Sequence, residues 1–314
     1  VVSAQRFAKA VQERVRSERF TVLHDHGVWD PEHFLLARIA QRKAVRLAIS
    51  VHGALEPWAL GFRRWKKRLA WAGYQRRTLE LADMIFVTTE QEAQSVRRTG
   101  VRRPLAVVPI GVETAAPLPE VVREEGTCLF LSRIHPKKGL EAWVRAWAEV
   151  SPSWRMSIAG PDADGHRQQI ETLVRDLGLA RHFTFHGEVH GRDKAALFAA
   201  ADVFVLPSHS ENFGMVVPEA LAAATPVLTT SATPWSQLPA LGAGWCVEPT
   251  THGLARGLRE VLATPAAERR RMGERGRAYV ARELAWPAIA QKTIEAYEWM
   301  SGGGHARPAH VHLD

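Results

Sequence analysis

Residues 206–228, LPSHSENFGMVVPEALAAATPVL, decide how the rest of the chain is read. An apolar run, DVFVLP at 202–207, leads into this segment, and a second run, PVLTT at 226–230, closes it. Between them lie a polar loop, Gly214 and a helical pattern, with Glu211 and Glu219 eight positions apart. Strand, loop, glycine, helix, strand is the order in which a doubly wound α/β sheet presents an anion site at its carboxyl edge. Glycine lets the backbone approach a ligand, and the opening amides of a helix favour negative charge. A carboxylate one helical turn further on can accept hydrogen bonds from sugar hydroxyls. Two glutamates at this spacing mean little alone, because exposed helices carry many. The flanking strands make the signal.

Outward from this segment the same alternation repeats. Strand runs fall at FTVLHDH, RLAISVHG, MIFVTT and LAVVPIG in the first half. In the second half they fall at TCLFLSR, WRMSIAG, HFTFHG, DVFVLPS, PVLTT and GWCVEP. Helical stretches such as GLEAWVRAWAEV separate most of them, which predicts an α/β chain with two Rossmann-like domains built on parallel sheets. The Pro-, Ala- and charge-rich stretch 113–126 reads as the linker. Expected boundaries are 1–118 for the first domain and 119–284 for the second, a helix at 285–300 crossing back, and a disordered tail at 301–314. The chain opens on an amphipathic helix rather than on a strand and glycine-rich turn. A first domain lacking on the order of 60 residues is therefore expected from the usual six-strand size.

Composition excludes several classes. At 314 residues, 46% hydrophobic and 24% charged, the chain is of ordinary globular type. Two cysteines, Cys128 and Cys246, lie far apart in apolar runs, which argues against a disulfide framework or zinc site and for a reducing compartment. No apolar run of about 18 residues is free of charge, so no spanning helix is predicted. The net charge of +8 lies entirely within residues 1–120, where 20 Lys and Arg face 12 Asp and Glu. Within it, residues 60–77 hold seven basic and no acidic residues, with Phe62, Trp65, Leu69 and Ala72 on one helical stripe. A basic amphipathic helix with interfacial aromatics fits an anionic membrane surface or a lipid-linked acceptor; a merely solvated face remains the plain alternative. Nucleic acid is disfavoured, because no recognisable binding motif accompanies the charge.

Arg133 and Lys138 follow the strand TCLFLSR and flank a turn into a helix. An Arg fork and a Lys point charge at a sheet mouth suit a diphosphate; a solvated basic turn is the alternative. His52 ends the strand LAISVH ahead of Gly53 and is either a structural strand-end histidine or a group facing a cleft. Asp162 and Asp164, in GPDADGH, fit turn geometry better than a metal site, since a hard cation wants more oxygen ligands.

SRIHPKKG, followed by SENFGMVVPEALA, resembles the second half of family 4 of the retaining glycosyltransferases, which have the GT-B fold. With HDHGVW, HGALEPWAL, RRWKKRLAW and TPWSQL, the resemblance covers nearly the whole chain. It points to bacterial surface-polysaccharide or lipopolysaccharide assembly, with two Rossmann-like domains facing a central cleft. It implies that Arg133 and Lys138 hold the donor diphosphate and that Glu219 binds the ribose. Glu211 would contact the transferred sugar, with Asn212, Phe213, Gly214 and Met215 around it and the base near Val189. His52 would lie close to the transferred sugar, making His52 and Glu211 the catalytic pair of positions. His26 and the cationic run Arg63, Arg64, Trp65, Lys66, Lys67, Arg68 would form the acceptor or membrane side, while His24 is packed.

The expected partners are a nucleotide-diphosphate sugar as donor and a glycan or lipid-linked acceptor. No cofactor, metal or nucleic acid is expected. The expected place is the cytoplasm, at the inner face of the membrane if the basic helix docks there. Two departures from the family pattern are Ala224, where glycine is usual, and Gln237, where glutamate is usual. A sugar-nucleotide-binding protein without transfer activity and a GT-B sugar-nucleotide epimerase are the competing readings. A nicotinamide dehydrogenase is disfavoured, since no GxGxxG follows a strand.

Overall fold

The structure, a computed structural model, describes residues 2–114, 125–303 and 306–313. The chain divides into two compact units, residues 1–110 with 289–314, and residues 111–288. The expected boundary at 118/119 and most of the 113–126 linker lie outside the described residues. The helix Trp286–Met300 begins in the second unit and ends in the first.

The second unit is built on β5 (Thr127–Leu131), β6 (Arg155–Ala159), β7 (Phe183–Gly187), β8 (Val203–Leu206), β9 (Val227–Thr230) and β10 (Gly244–Val247). They lie in the order β10-β9-β8-β5-β6-β7, with every pairing parallel. A parallel sheet covered on both faces needs apolar residues in every strand, and VFVL of β8 is buried throughout. The helix Leu140–Val150 shows the complementary pattern, burying Leu140, Trp143, Val144 and Trp147. Its two indoles meet edge-on at 5.9 Å, and Trp147 meets Phe183 of β7 at 5.3 Å. Strand order reverses between β5 and β8. The carboxyl edge at such a reversal is where sheets of this kind bind ligands.

Ala224 stands after the helix Val216–Ala222 with φ +55, a left-handed conformation that penalises a Cβ. Gly273 packs so closely there that a Cβ on it would come 1.9 Å from the Ala224 carbonyl oxygen, so the turn has no room to relax. Ala224→Gly is therefore expected to stabilise the protein by about 0.5–1 kcal/mol, after the entropy cost of the added glycine. A denaturant midpoint unchanged or lowered in the variant would contradict this.

The first unit contains β1 (Val22–His26), β2 (Arg46–Ser50), β3 (Met84–Val87) and β4 (Leu105–Val107), parallel and in chain order, then β11 (Val311–His312) antiparallel on β4. Leu47, Ile49, Leu79, Ile85 and Leu105 form part of its core. The tail expected to be disordered at 301–314 is thus corrected: residues 306–313 are placed, and Val311 is buried against Ala106. The Val107 amide donates to the His310 carbonyl at 2.8 Å. The edge of β4 offers unpaired amides and carbonyls, and this gain outweighs a locally glycine- and histidine-rich composition.

Candidate functional site

In the second unit the two loops at the sheet reversal are tied to each other. The His209 amide, after β8, donates to the Lys137 carbonyl, after β5, at 2.8 Å. Gly139 lies under the same crossing with φ +70, and a Cβ there would sit 2.0 Å from the Pro207 carbonyl oxygen. This close approach brings Lys138 and Glu211 together. The Lys138 ammonium donates to Glu211 Oε1 at 2.6 Å, and both side chains are nearly buried. The Ser208 hydroxyl donates to the same oxygen at 2.7 Å. Sequence reasoning named Lys138 and Glu211 but gave them separate tasks; the structure makes them one ion pair. Ser208 was missed, although it stands three residues before Glu211.

The loop that follows is held from behind. The Trp235 indole N–H donates to the Phe213 carbonyl at 2.5 Å, and the two rings meet at 5.4 Å. Gly214 has φ +72 and lies against Glu211 and Trp235. Asn212 Oδ1 is buried without a hydrogen-bond partner among the described residues. Met215 immediately precedes the helix Val216–Ala222, which places Pro218 and Glu219 in its first turn, where proline is tolerated.

Glu219 accepts from the Lys194 ammonium at 2.7 Å through Oε1, while Oε2 is buried without a partner among the described residues. Lys194 escaped the sequence reading, since its helix, Gly191–Ala200, has no marked amphipathic pattern to single it out. Val189 is half-buried in the loop just before that helix. Arg133 is exposed two residues beyond β5, near enough to lower the pKa of His135, where burial is the larger cause. Asp162 accepts from the Arg167 amide at 2.8 Å, and Asp164 adopts φ +58, the turn roles expected for them.

In the first unit three histidines gather at the carboxyl ends of β1 and β2. His26 Nδ1 lies 3.0 Å from His52 Nε2, and the rings of His24 and His26 stack at 4.3 Å. His24 is held by the Tyr297 hydroxyl at 2.5 Å and the Ser50 hydroxyl at 2.8 Å. His52 itself has φ +45 and is exposed. Its turn is fixed by the buried Glu92, which accepts from the Gly53 amide and, at 2.6 Å, from the Thr88 amide. Thr89 caps the helix Glu90–Arg98, so the TEQE capping pattern at 89–92 was the available signal for Glu92, although its carboxylate is diverted to the histidine turn.

Burial, then the neighbouring His26 and His52, push the His24 pKa from 6.5 down to about 4. His52, open to solvent on one side, is lowered by partial desolvation on the other and by His26, against an opposing pull from Glu92. The unfolded chain takes up a proton on His24 below its ordinary pKa that the folded protein refuses. Stability is therefore expected to fall as pH drops from 6.5 to about 4, a loss on the order of 2 kcal/mol for this group. Urea midpoints measured across that window should show a shallower slope in His24→Asn; an identical slope would contradict the assignment.

The cationic run Arg63, Arg64, Trp65, Lys66, Lys67, Arg68 is placed on and just before the helix Arg64–Ala70. Its apolar stripe points outward: Phe62 is 60% exposed, Trp65 64% and Leu69 66%.

Comparison with known proteins accords with this arrangement. Residues 119–279 match the family model of the group 1 glycosyl transferases, and residues 2–111 match a glycosyl transferase 4-like domain. A D-inositol 3-phosphate glycosyltransferase of Kineococcus radiotolerans is 32% identical over 257 residues, which is 71% of this chain and 58% of the relative. An uncharacterized glycosyltransferase of Methanocaldococcus jannaschii is 28% identical over 177 residues, 56% of this chain and 45% of the relative. The chain thus spans less than two thirds of the length of these curated relatives. Among solved structures, a sucrose-phosphate synthase from Thermosynechococcus elongatus superposes with TM-score 0.75 at 22% identity, covering 96% of this chain and 78% of that one. Anabaena HepE in complex with UDP and glucose gives 0.76 at 17% identity, covering 94% and 81%. These likenesses show the GT-B fold, with its two parallel-sheet α/β domains. With just over half of its length matched by that family's model, the chain belongs to the group 1 glycosyl transferases.

Proposed function

We propose that the protein is a retaining, metal-independent glycosyltransferase that moves a sugar from a nucleotide-diphosphate donor to a glycan or lipid-linked acceptor in surface-polysaccharide assembly. The observation that carries this reading is the pairing of Lys138 with Glu211 at the β5/β8 reversal, with the half-satisfied carboxylate of Glu219 on the following helix. Donor diphosphate draws Lys138 and Arg133 onto its oxygens, which frees Glu211 to accept from hydroxyls of the transferred sugar. Glu219 accepts from the ribose hydroxyls, and the base lies by Val189. The anomeric C–O bond breaks with its electron pair going to the diphosphate. The acceptor oxygen bonds to the anomeric carbon on the same face and gives its proton to the departing phosphate oxygen.

In the first unit His52, with His26, is the polar group offered to the reacting sugars. The basic run 60–77 serves the acceptor side at an anionic membrane surface. A panel of UDP-, GDP- and ADP-sugars, scored by thermal shift and then by transfer with and without a chelator, tests the reading. Stabilisation by none of them would remove it. Turnover lost on chelation would remove metal independence, and an inverted anomeric product would remove retention.

A further inference from the structure

We propose that the first unit carries a binding site for the phosphate headgroup of a membrane lipid, in the cavity walled by Trp29, Leu60 and Trp71 and rimmed by Arg64, Lys67 and Arg68. The proposal rests on the membrane-side reading above and deepens it from a charged face to a defined pocket. The cavity has a volume of about 540 Å³. That is room for a headgroup and the first carbons of its chains.

Three independent features build it. Trp29 adopts φ +83, a conformation that a bulky residue keeps only where its surroundings impose it. Those surroundings are specific. The Trp29 amide donates to Gln75 Oε1 at 2.6 Å, the Tyr74 hydroxyl donates to the Trp29 carbonyl, and the indole N–H donates to the Ala54 carbonyl at 3.2 Å. Tyr74 and Gln75 reach Trp29 because residues Trp71–Gln75 form a π-helical turn, a device found disproportionately at functional sites. Two positions beyond Leu69, Trp71 falls on the opposite face of the helix, about 200° round. Phe62, Trp65 and Leu69 stay outside while Trp71 turns in, its ring 6.3 Å from that of Trp29.

The third feature is the cation at the mouth. Lys67 lies with its ammonium 5.2 Å from the centre of the Trp29 ring and 2.5 Å from the Ala59 carbonyl, partly buried, whereas Arg64 and Arg68 are exposed beside it. Residues 60–77 supply no carboxylate to neutralise these charges. Aromatic walls under a cationic rim complement a phosphate carried on an apolar chain. The exposed Phe62, Trp65 and Leu69 on the same stretch are placed to enter the bilayer interface around it. Bases of a single-stranded RNA would instead stack on the exposed aromatics and leave the cavity unused.

The test is flotation of the full chain with phosphatidylglycerol-containing and pure phosphatidylcholine vesicles. Two charge reversals of equal size on the same helix region are compared, R64E/R68E on the cavity rim and R63E/K66E away from it. Melting by circular dichroism verifies that each variant is folded. Binding to the anionic vesicles is expected to be roughly tenfold weaker for R64E/R68E than for R63E/K66E, since only the former loses headgroup hydrogen bonds besides general attraction. Equal losses would overturn the pocket and leave membrane docking standing. No vesicle binding by the unmodified protein would overturn both. Full displacement from vesicles by inorganic phosphate, or RNA binding equally sensitive to R64E/R68E, would overturn a lipid as the ligand. Donor binding, read separately by thermal shift, decides the transferase reading whatever the vesicles show.

Discussion

Replacing Lys138 by methionine is expected to destabilise the protein by about 3 kcal/mol and to remove donor binding. The Lys138 and Glu211 side chains are only 12% and 9% exposed, and their charged atoms are 2.6 Å apart. Methionine keeps most of the lysine stem but leaves the Glu211 carboxylate, among the described residues, with Ser208 as its remaining hydrogen-bond partner. An uncompensated charge in such a place costs more than the intact pair contributes, because desolvation is no longer offset. The double variant K138M/E211Q removes both charges and is expected to recover much of the stability without recovering donor binding. That divergence separates the pair's structural role from its role on the diphosphate. Urea unfolding gives the first quantity and thermal shift with nucleotide sugars the second. K138M as stable as the unmodified protein, or a double variant as unstable as the single one, would show that the two charges are not coupled as their geometry requires.

The pairing also marks where sequence reading stops. All ten strands expected from β-branched runs are present; inner strands such as β8 are buried on both faces and need near-continuous apolar sequence, whereas the edge strand β7 alternates buried and exposed residues. β11 left no such trace: it is two residues long and forms only because β4 has an open edge. Lys138 and Glu211 were each legible from their local motifs, yet their contact spans 73 positions and depends on β5 and β8 being neighbours. The histidine cluster was closer to hand. His24 and His26 are two apart on a strand and so share a face, while β2, which delivers His52, is paired in register with β1. In residues 60–77 the stripe was read correctly as a stripe, but periodicity does not say which way it faces. At about 100° per residue Trp71 falls across the helix from Leu69 and so turns inward, while the π-turn at Trp71–Gln75, invisible to a 3.6-residue pattern, brings Tyr74 and Gln75 to Trp29.

Glu219→Lys is expected to abolish nucleotide-sugar binding. Glu219 is anchored through Oε1 by Lys194, and its Oε2 is buried without a partner among the described residues. That oxygen can accept further hydrogen bonds, and a ribose bearing adjacent hydroxyls supplies two donors. Hydrogen bonds to a charged group contribute about 1.5–3 kcal/mol each, so losing two weakens binding on the order of a hundredfold to ten-thousandfold. Charge reversal replaces the ion pair with Lys194 by a like-charge contact between two ammonium groups. Glu219→Gln keeps the shape and an acceptor oxygen, so it should bind measurably but more weakly. Lys194→Met should also weaken binding, because Glu219 would lose the contact that orients it. Melting without ligand serves as the control, since a partly exposed side chain tolerates substitution better than Glu211 does. If Glu219→Lys bound donor as well as the unmodified protein, the ribose assignment would fall. Lys138 and Arg133 would then be left as a phosphate site without a nucleotide.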